Sequence, residues 1–182
     1  MSVISQYLSD QNVTLLGVVM YGAVAIVVCV VLPKLLRALF KIKPGYQRLL
    51  ASASIVFFLS LFLPSPLIHG QNTNFTTHFV GGGIFTGLIW LFLKLNFNLK
   101  LNWLLELTTL YFLVCGLGVA NELFEFFTNG IGLFNVPGND TWWDLFANTV
   151  GALAFWIFYR LFYLPRSWKL HLSSSKLKIR GG

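Results

Sequence analysis

From Trp103 to Phe127 the chain reads WLLELTTLYFLVCGLGVANELFEFF, 25 residues whose only formal charges are Glu106, Glu122 and Glu125. As a helix this run extends about 37 Å, more than the roughly 30 Å hydrocarbon core of a bilayer. Its polarity does not alternate and it is too long for a strand, so it reads as a membrane-spanning helix. The same reading extends in both directions. Val13 to Pro33 gives 21 residues without a charge, and Leu49 to Ile68 gives 20 more, closing on Pro64-Ser65-Pro66. Phe79 to Leu93 is apolar, short and rich in glycine, and Trp142 to Tyr159 is apolar apart from Asp144 and Asn148. The expected fold is an all-α, polytopic transmembrane helical bundle of about five spans.

Composition agrees with this. Of 182 residues, 56% are hydrophobic, 16% aromatic and 10% charged, with a mean hydropathy of +0.72. A soluble domain carries roughly a quarter charged residues, so a water-soluble globular enzyme is excluded, as is a disordered chain. The basic residues then set the topology. Lys34, Arg37, Lys41, Lys43 and Arg48 lie between spans one and two, and Lys94 and Lys100 between spans three and four. Arg160, Arg166, Lys169, Lys176, Lys178 and Arg180 follow span five, which accounts for all 13 Lys and Arg. Basic loops face the cytoplasm, so the N-terminus is expected outside and the C-terminus inside, an alternation that requires an odd number of spans. The net charge of +7 is thus chiefly an orientation signal. Anionic lipid is a nearer partner for the basic tail than nucleic acid. The first segment reads as a retained anchor, since it has no basic leader and no small-residue cleavage site. Cys29 and Cys115 fall within spans and read as free thiols. The multi-pass reading places the protein in a cell membrane, the inner one in a bacterium.

The six acidic residues are sorted just as sharply. Asp10 lies in the outer arm, Glu122 and Glu125 at the outer end of span four, and Asp140 and Asp144 at the outer start of span five. Glu106 alone is in the inner half and is expected at the interface near Lys100. His69 and His78 are also outer, whereas His171 is in the tail. Glu122 and Glu125, three apart, share a helix face, and so do Asp144 and Asn148, four apart. Each polar face runs into small residues: Cys115 and Gly118, Gly151 and Ala152, or Gly81 and Gly82 below His78. Small residues let transmembrane helices approach closely, so these polar groups are expected to face one another rather than lipid.

Such a pocket gathers carboxylates in a low dielectric with no Lys or Arg on its side. It can hold a shared proton, pair with a protonated His78, or bind a cation. These outcomes correspond to acid–base chemistry or a proton relay, and to a metal or structural ion. Glu122, Asp144 and His78 are the candidate catalytic residues, with Glu125, Asn148 and Asp140 as ligand-binding support. Glu122, Glu125 and Asp144 would hold a divalent cation. Simpler roles stand beside these. Glu122 and Glu125 could be solvated at the surface. Asp140, after Pro137-Gly138-Asn139, suits a turn or N-cap, and Asp144 suits the first helical turn. There is no Gly-x-Ser-x-Gly, His-Glu-x-x-His, phosphate-binding loop or dinucleotide fingerprint.

The block Asp144-Leu145-Phe146-Ala147-Asn148-Thr149-Val150-Gly151-Ala152 resembles the last shared helix of the VanZ-like family of small polytopic bacterial membrane proteins. Glu122-Leu123-Phe124-Glu125 is similar to that family's earlier Glu-x-x-Gln, with Glu in place of Gln, and His78 matches a His that opens a preceding helix. The order and spacing agree across roughly residues 70 to 160. The resemblance implies work on the cell envelope of the teicoplanin-resistance type, and the outer polar pocket is then expected to bind or process a lipid-linked or amphipathic component. It divides the chain into a two-span region over 1–69, a VanZ-like three-span region over 70–164 and a basic cytoplasmic tail over 165–182. The other reading of the same residues is a non-enzymatic membrane protein whose polar cluster is structural or a proton or cation site.

Overall fold

A computed structural model describes residues 15–68, 71–130 and 141–163. Asp10, His69, Asp140, His171 and the basic tail lie outside the described residues. Five helices run in chain order: α1 (Leu15–Phe40), α2 (Gln47–Ser60), α3 (Phe75–Asn96), α4 (Trp103–Gly130) and α5 (Thr141–Phe162). Between α2 and α3 a small antiparallel ladder pairs β1 (Leu67–Ile68) with β2 (Gln71–Asn72). Four of the helices, all but α2, are long and apolar enough to cross a membrane. The protein is a multi-pass membrane protein, and most of its large exposed apolar side chains lie on these helices.

The first two spans differ from their sequence boundaries in ways that proline bears on. The first helix passes through Pro33 and continues to Phe40, where Lys41 turns left-handed with φ 54°. Proline inside a membrane helix is tolerated where neighbouring groups satisfy the freed carbonyl. The second helix stops at Ser60, giving 14 residues and about 21 Å of rise, less than a bilayer core. The apolar run continues through Leu63, but it does so as a turn ahead of Pro64 and Pro66. Proline has no N–H to offer a preceding turn and disfavours helix in the residue before it.

Polar side chains fix the helix ends and one crossing. Asn102 Oδ1 accepts the Leu105 N–H at 2.9 Å and caps α4. Asn96 Oδ1 accepts the Gly45 N–H at 2.6 Å, which ties the α1–α2 link to the end of α3. Ser54 in α2 donates to the Ala25 carbonyl at 2.8 Å and lies 2.8 Å from Cys29 Sγ, joining α2 to α1. Cys29 and Cys115 are free thiols, as their positions suggest.

The core forms two apolar groups. Leu36, Leu50, Ala53, Phe85, Ile89 and Phe92 join α1, α2 and α3. Trp90, Leu91, Leu110, Val114, Ala152 and Tyr159 join α3, α4 and α5. At the start of α3, His78–Ile84 (HFVGGGI) is wound as a π-helix. Here α3 and α5 meet backbone to backbone. A Cβ on Gly83 would lie 2.6 Å from the Ala152 nitrogen and the Asn148 carbonyl oxygen, and one on Gly151 would strike the Phe79 carbonyl. Only glycine permits this approach. The segment that looks too short and glycine-rich for a full span is therefore the tightest junction of the bundle, and the helix that carries it runs for 22 residues.

Candidate functional site

The acidic site is built from the ends of three helices. Glu122 and Glu125, near the end of α4, lie three residues apart and face the same way. Asp144 lies in the first turn of α5, and His78 begins the π segment of α3. One carboxylate oxygen each from Glu122, Glu125 and Asp144 lies within 4.8 Å of the other two. His78 Nε2 is 3.3 Å from Asp144 Oδ1. Asp144 is almost fully enclosed at 1% exposure, Glu125 is buried, and Glu122 and His78 are half-buried. The solvated reading of Glu125 is thereby excluded, and the four residues expected to converge do so.

Supporting residues fix this geometry. Asn148, one turn below Asp144, is buried, and its amide is wedged between the glycine faces of α3 and α4. A Cβ on Gly82 would strike Asn148 Oδ1, and one on Gly118 would lie 3.4 Å from Asn148 Nδ2. Gly81 of the same run faces the other way, toward Ser60 of α2. The π winding thus presents successive glycines to different neighbours while His78 stays on the α5 side. π turns often occur where a helix must aim a functional side chain.

Two contributors are not evident from the sequence. The Tyr21 hydroxyl on α1 donates to Glu125 Oε1 at 3.2 Å, and Asn121 Nδ2 donates to the same oxygen at 2.8 Å. Tyr21 is the only Tyr in the uncharged run Val13–Pro33, a slender signal that a polar group enters the bundle there. Asn121 lies four residues before Glu125, one helical turn away, and is the more legible of the two.

The opposite, basic end of the bundle corrects the placement of Glu106. It is not at the interface beside Lys100 but turned inward, with 1% exposure. Its Oε1 receives Lys94 Nζ from α3, and its Oε2 receives Arg160 Nη1 from α5 at 3.3 Å. Lys94 also donates to the Tyr159 hydroxyl at 2.7 Å and sits against the rings of Trp90 and Tyr159. These are the ion pairs made by Lys or Arg among the described residues, and both belong to Glu106. Glu106 and Glu122 are sixteen residues apart along α4, about 24 Å. Between them lies the apolar layer of Leu110, Val114 and Ala152.

A cluster of three oxygen donors with an imidazole beside it has the chemistry of a hard-cation site, and equally that of a shared proton. The residues that would contact an ion are Glu122, Glu125 and Asp144. His78, Tyr21 and Asn121 would orient them. The chain was compared with protein-family models, with curated proteins and with solved structures, and it matches none of them.

Proposed function

We propose that this integral membrane protein holds a cation at its acidic end, and that the resident ion is a divalent metal between α4 and α5. One observation carries the reading: Glu122, Glu125 and Asp144 present oxygens within 4.8 Å of one another in a largely buried position. Carboxylates this close repel one another strongly in a low dielectric. A divalent ion converts that repulsion into coordination, and in its absence a shared proton relieves part of it. The donor set favours a hard or borderline ion, magnesium, manganese or zinc. All Lys and Arg in the links lie on the other side, so the pocket opens to the non-cytoplasmic face, with the N-terminus outside.

The test is thermal unfolding of the purified protein with Mg²⁺, Mn²⁺ or Zn²⁺, and with chelator. A ligand bound only by the folded state adds about 2.7 kcal/mol at a hundredfold excess over its Kd. We expect a clear rise with at least one ion, and Glu122→Gln and Asp144→Asn should fold yet lose that rise. No response to any divalent ion or to chelator removes the cation reading. In that case, loss of folded protein in both variants would leave the cluster as interhelical glue.

The His78–Asp144 contact at 3.3 Å favours a second reading. Here Glu122 and Asp144 exchange a proton with a lipid-linked or amphipathic component, with His78 as relay, and the VanZ-like resemblance supports an envelope setting. Under this reading Glu122→Gln abolishes turnover of an envelope substrate in cells without changing the thermal response to metal.

A further inference from the structure

The basic end carries more positive charge than its internal partners need. Glu106 is one carboxylate between two cations, and Lys94 alone suffices to neutralise it. Lys94 is almost enclosed: its ammonium is shared between Glu106 and the Tyr159 hydroxyl, with the Trp90 and Tyr159 rings 5.2 and 4.9 Å from it. Arg160 is held differently. One nitrogen makes a single contact with Glu106 Oε2 at 3.3 Å, not the two-pronged fork that Arg makes with a dedicated carboxylate. The guanidinium lies 5.7 Å from the Trp156 ring, and 34% of the side chain remains exposed. It thus has donors left over, held in a fixed direction by Glu106 and Trp156. Next to it, Leu161, Phe162 and Tyr163 at the end of α5 present exposed apolar surface, and the Phe158 and Phe162 rings pack 4.4 Å apart.

We propose that Arg160 binds the phosphate of an anionic phospholipid, with the Glu106–Lys94 pair as the brace that aims it. A surplus guanidinium matches a phosphate in charge and in fork geometry. The flanking apolar collar matches acyl chains and has no use for a free anion. A surplus of one positive charge favours a headgroup with net negative charge over a zwitterionic one. This site is separate from the acidic pocket and does not depend on what that pocket binds.

The experiment measures lipid binding by the full chain in detergent, by native mass spectrometry and by thermal unfolding. The probes are phosphatidylglycerol, phosphatidylcholine and inorganic phosphate. Phosphatidylglycerol is expected to be retained and to raise the unfolding temperature, and the other two are not. Arg160→Gln should weaken phosphatidylglycerol binding about tenfold or more, while Lys100→Gln at the same end leaves it unchanged. Arg160→Lys keeps the charge and the Glu106 contact, so it gives the answer if Arg160→Gln does not fold, and it too should bind several-fold more weakly. Wild-type affinity in Arg160→Gln, or in Arg160→Lys where Arg160→Gln does not fold, overturns the proposal. So does equal retention of phosphatidylcholine, and stabilisation by inorganic phosphate alone would mark a free-anion site instead.

Discussion

Glu106, near the start of α4, has a cation on each of its oxygens, whereas Glu122 and Glu125 at the other end of the same helix meet a third carboxylate, Asp144. Both ends bury acid, but the basic end balances it from within the chain. Lys94 and Arg160 reach Glu106 from α3 and α5 and close a network among three helices. The acidic end draws no Lys or Arg from its adjoining links and has the imidazole of His78 beside Asp144. There the Glu106 carboxylate is fully paired within the chain, with one positive charge to spare. A cluster of carboxylates is the arrangement that the proposed cation would bridge. The same side chain, sixteen residues along one helix, thus meets cations at one end and other carboxylates at the other, where the proposed cation would bind.

Four substitutions break or sharpen this contrast, in order of expected size. Glu106→Gln leaves the buried Lys94 and the partly exposed Arg160 against a neutral amide and should cost about 3–5 kcal/mol, nearly all of it through Lys94, read as a lower unfolding midpoint with or without divalent ions. Gly83→Ala drives a methyl into the α5 backbone and should cost about 1–3 kcal/mol or more by overpacking. It should also weaken the cation response, because that junction positions His78 and Asn148. Glu122→Gln should have the opposite sign from Glu106→Gln: in metal-free buffer, removing one of three crowded carboxylates raises stability by about 1 kcal/mol. A loss of stability there, comparable with that of Glu106→Gln, would erase the distinction between the two ends. Tyr21→Phe removes one hydrogen bond to Glu125 and should cost about 0.5–1 kcal/mol, with a modest shift in the cation midpoint.

The acidic end was largely legible in the sequence because its signals are local. Glu122 and Glu125 share a face by spacing, Asp144 and Asn148 do likewise, and absent basic residues mark the side on which they lie. Convergence then follows from small residues that draw the helices together. The basic end was not legible, because Lys94, Glu106 and Arg160 pair only once α3, α4 and α5 are assembled. Read along the chain, Lys94 and Arg160 are flanking charges, and their long side chains give no hint of turning inward. The end of α2 was obscured for a related reason. Leu61-Phe62-Leu63 is as apolar as the helix before it, so hydropathy alone runs on past Ser60. The π winding over His78–Ile84 depends on contacts with α5 that glycine content signals only as a close approach. Tyr21 was hidden by its apolar surroundings, since one hydroxyl scarcely alters the character of a span.

The layer of Leu110, Val114 and Ala152 separates the carboxyl cluster from the Glu106 network like an insulator between two terminals. Under the proposed cation reading, an ion that enters beside Asp144 would meet this apolar layer and return to the side it came from. Occupancy of such a site would then follow the composition of a single aqueous compartment.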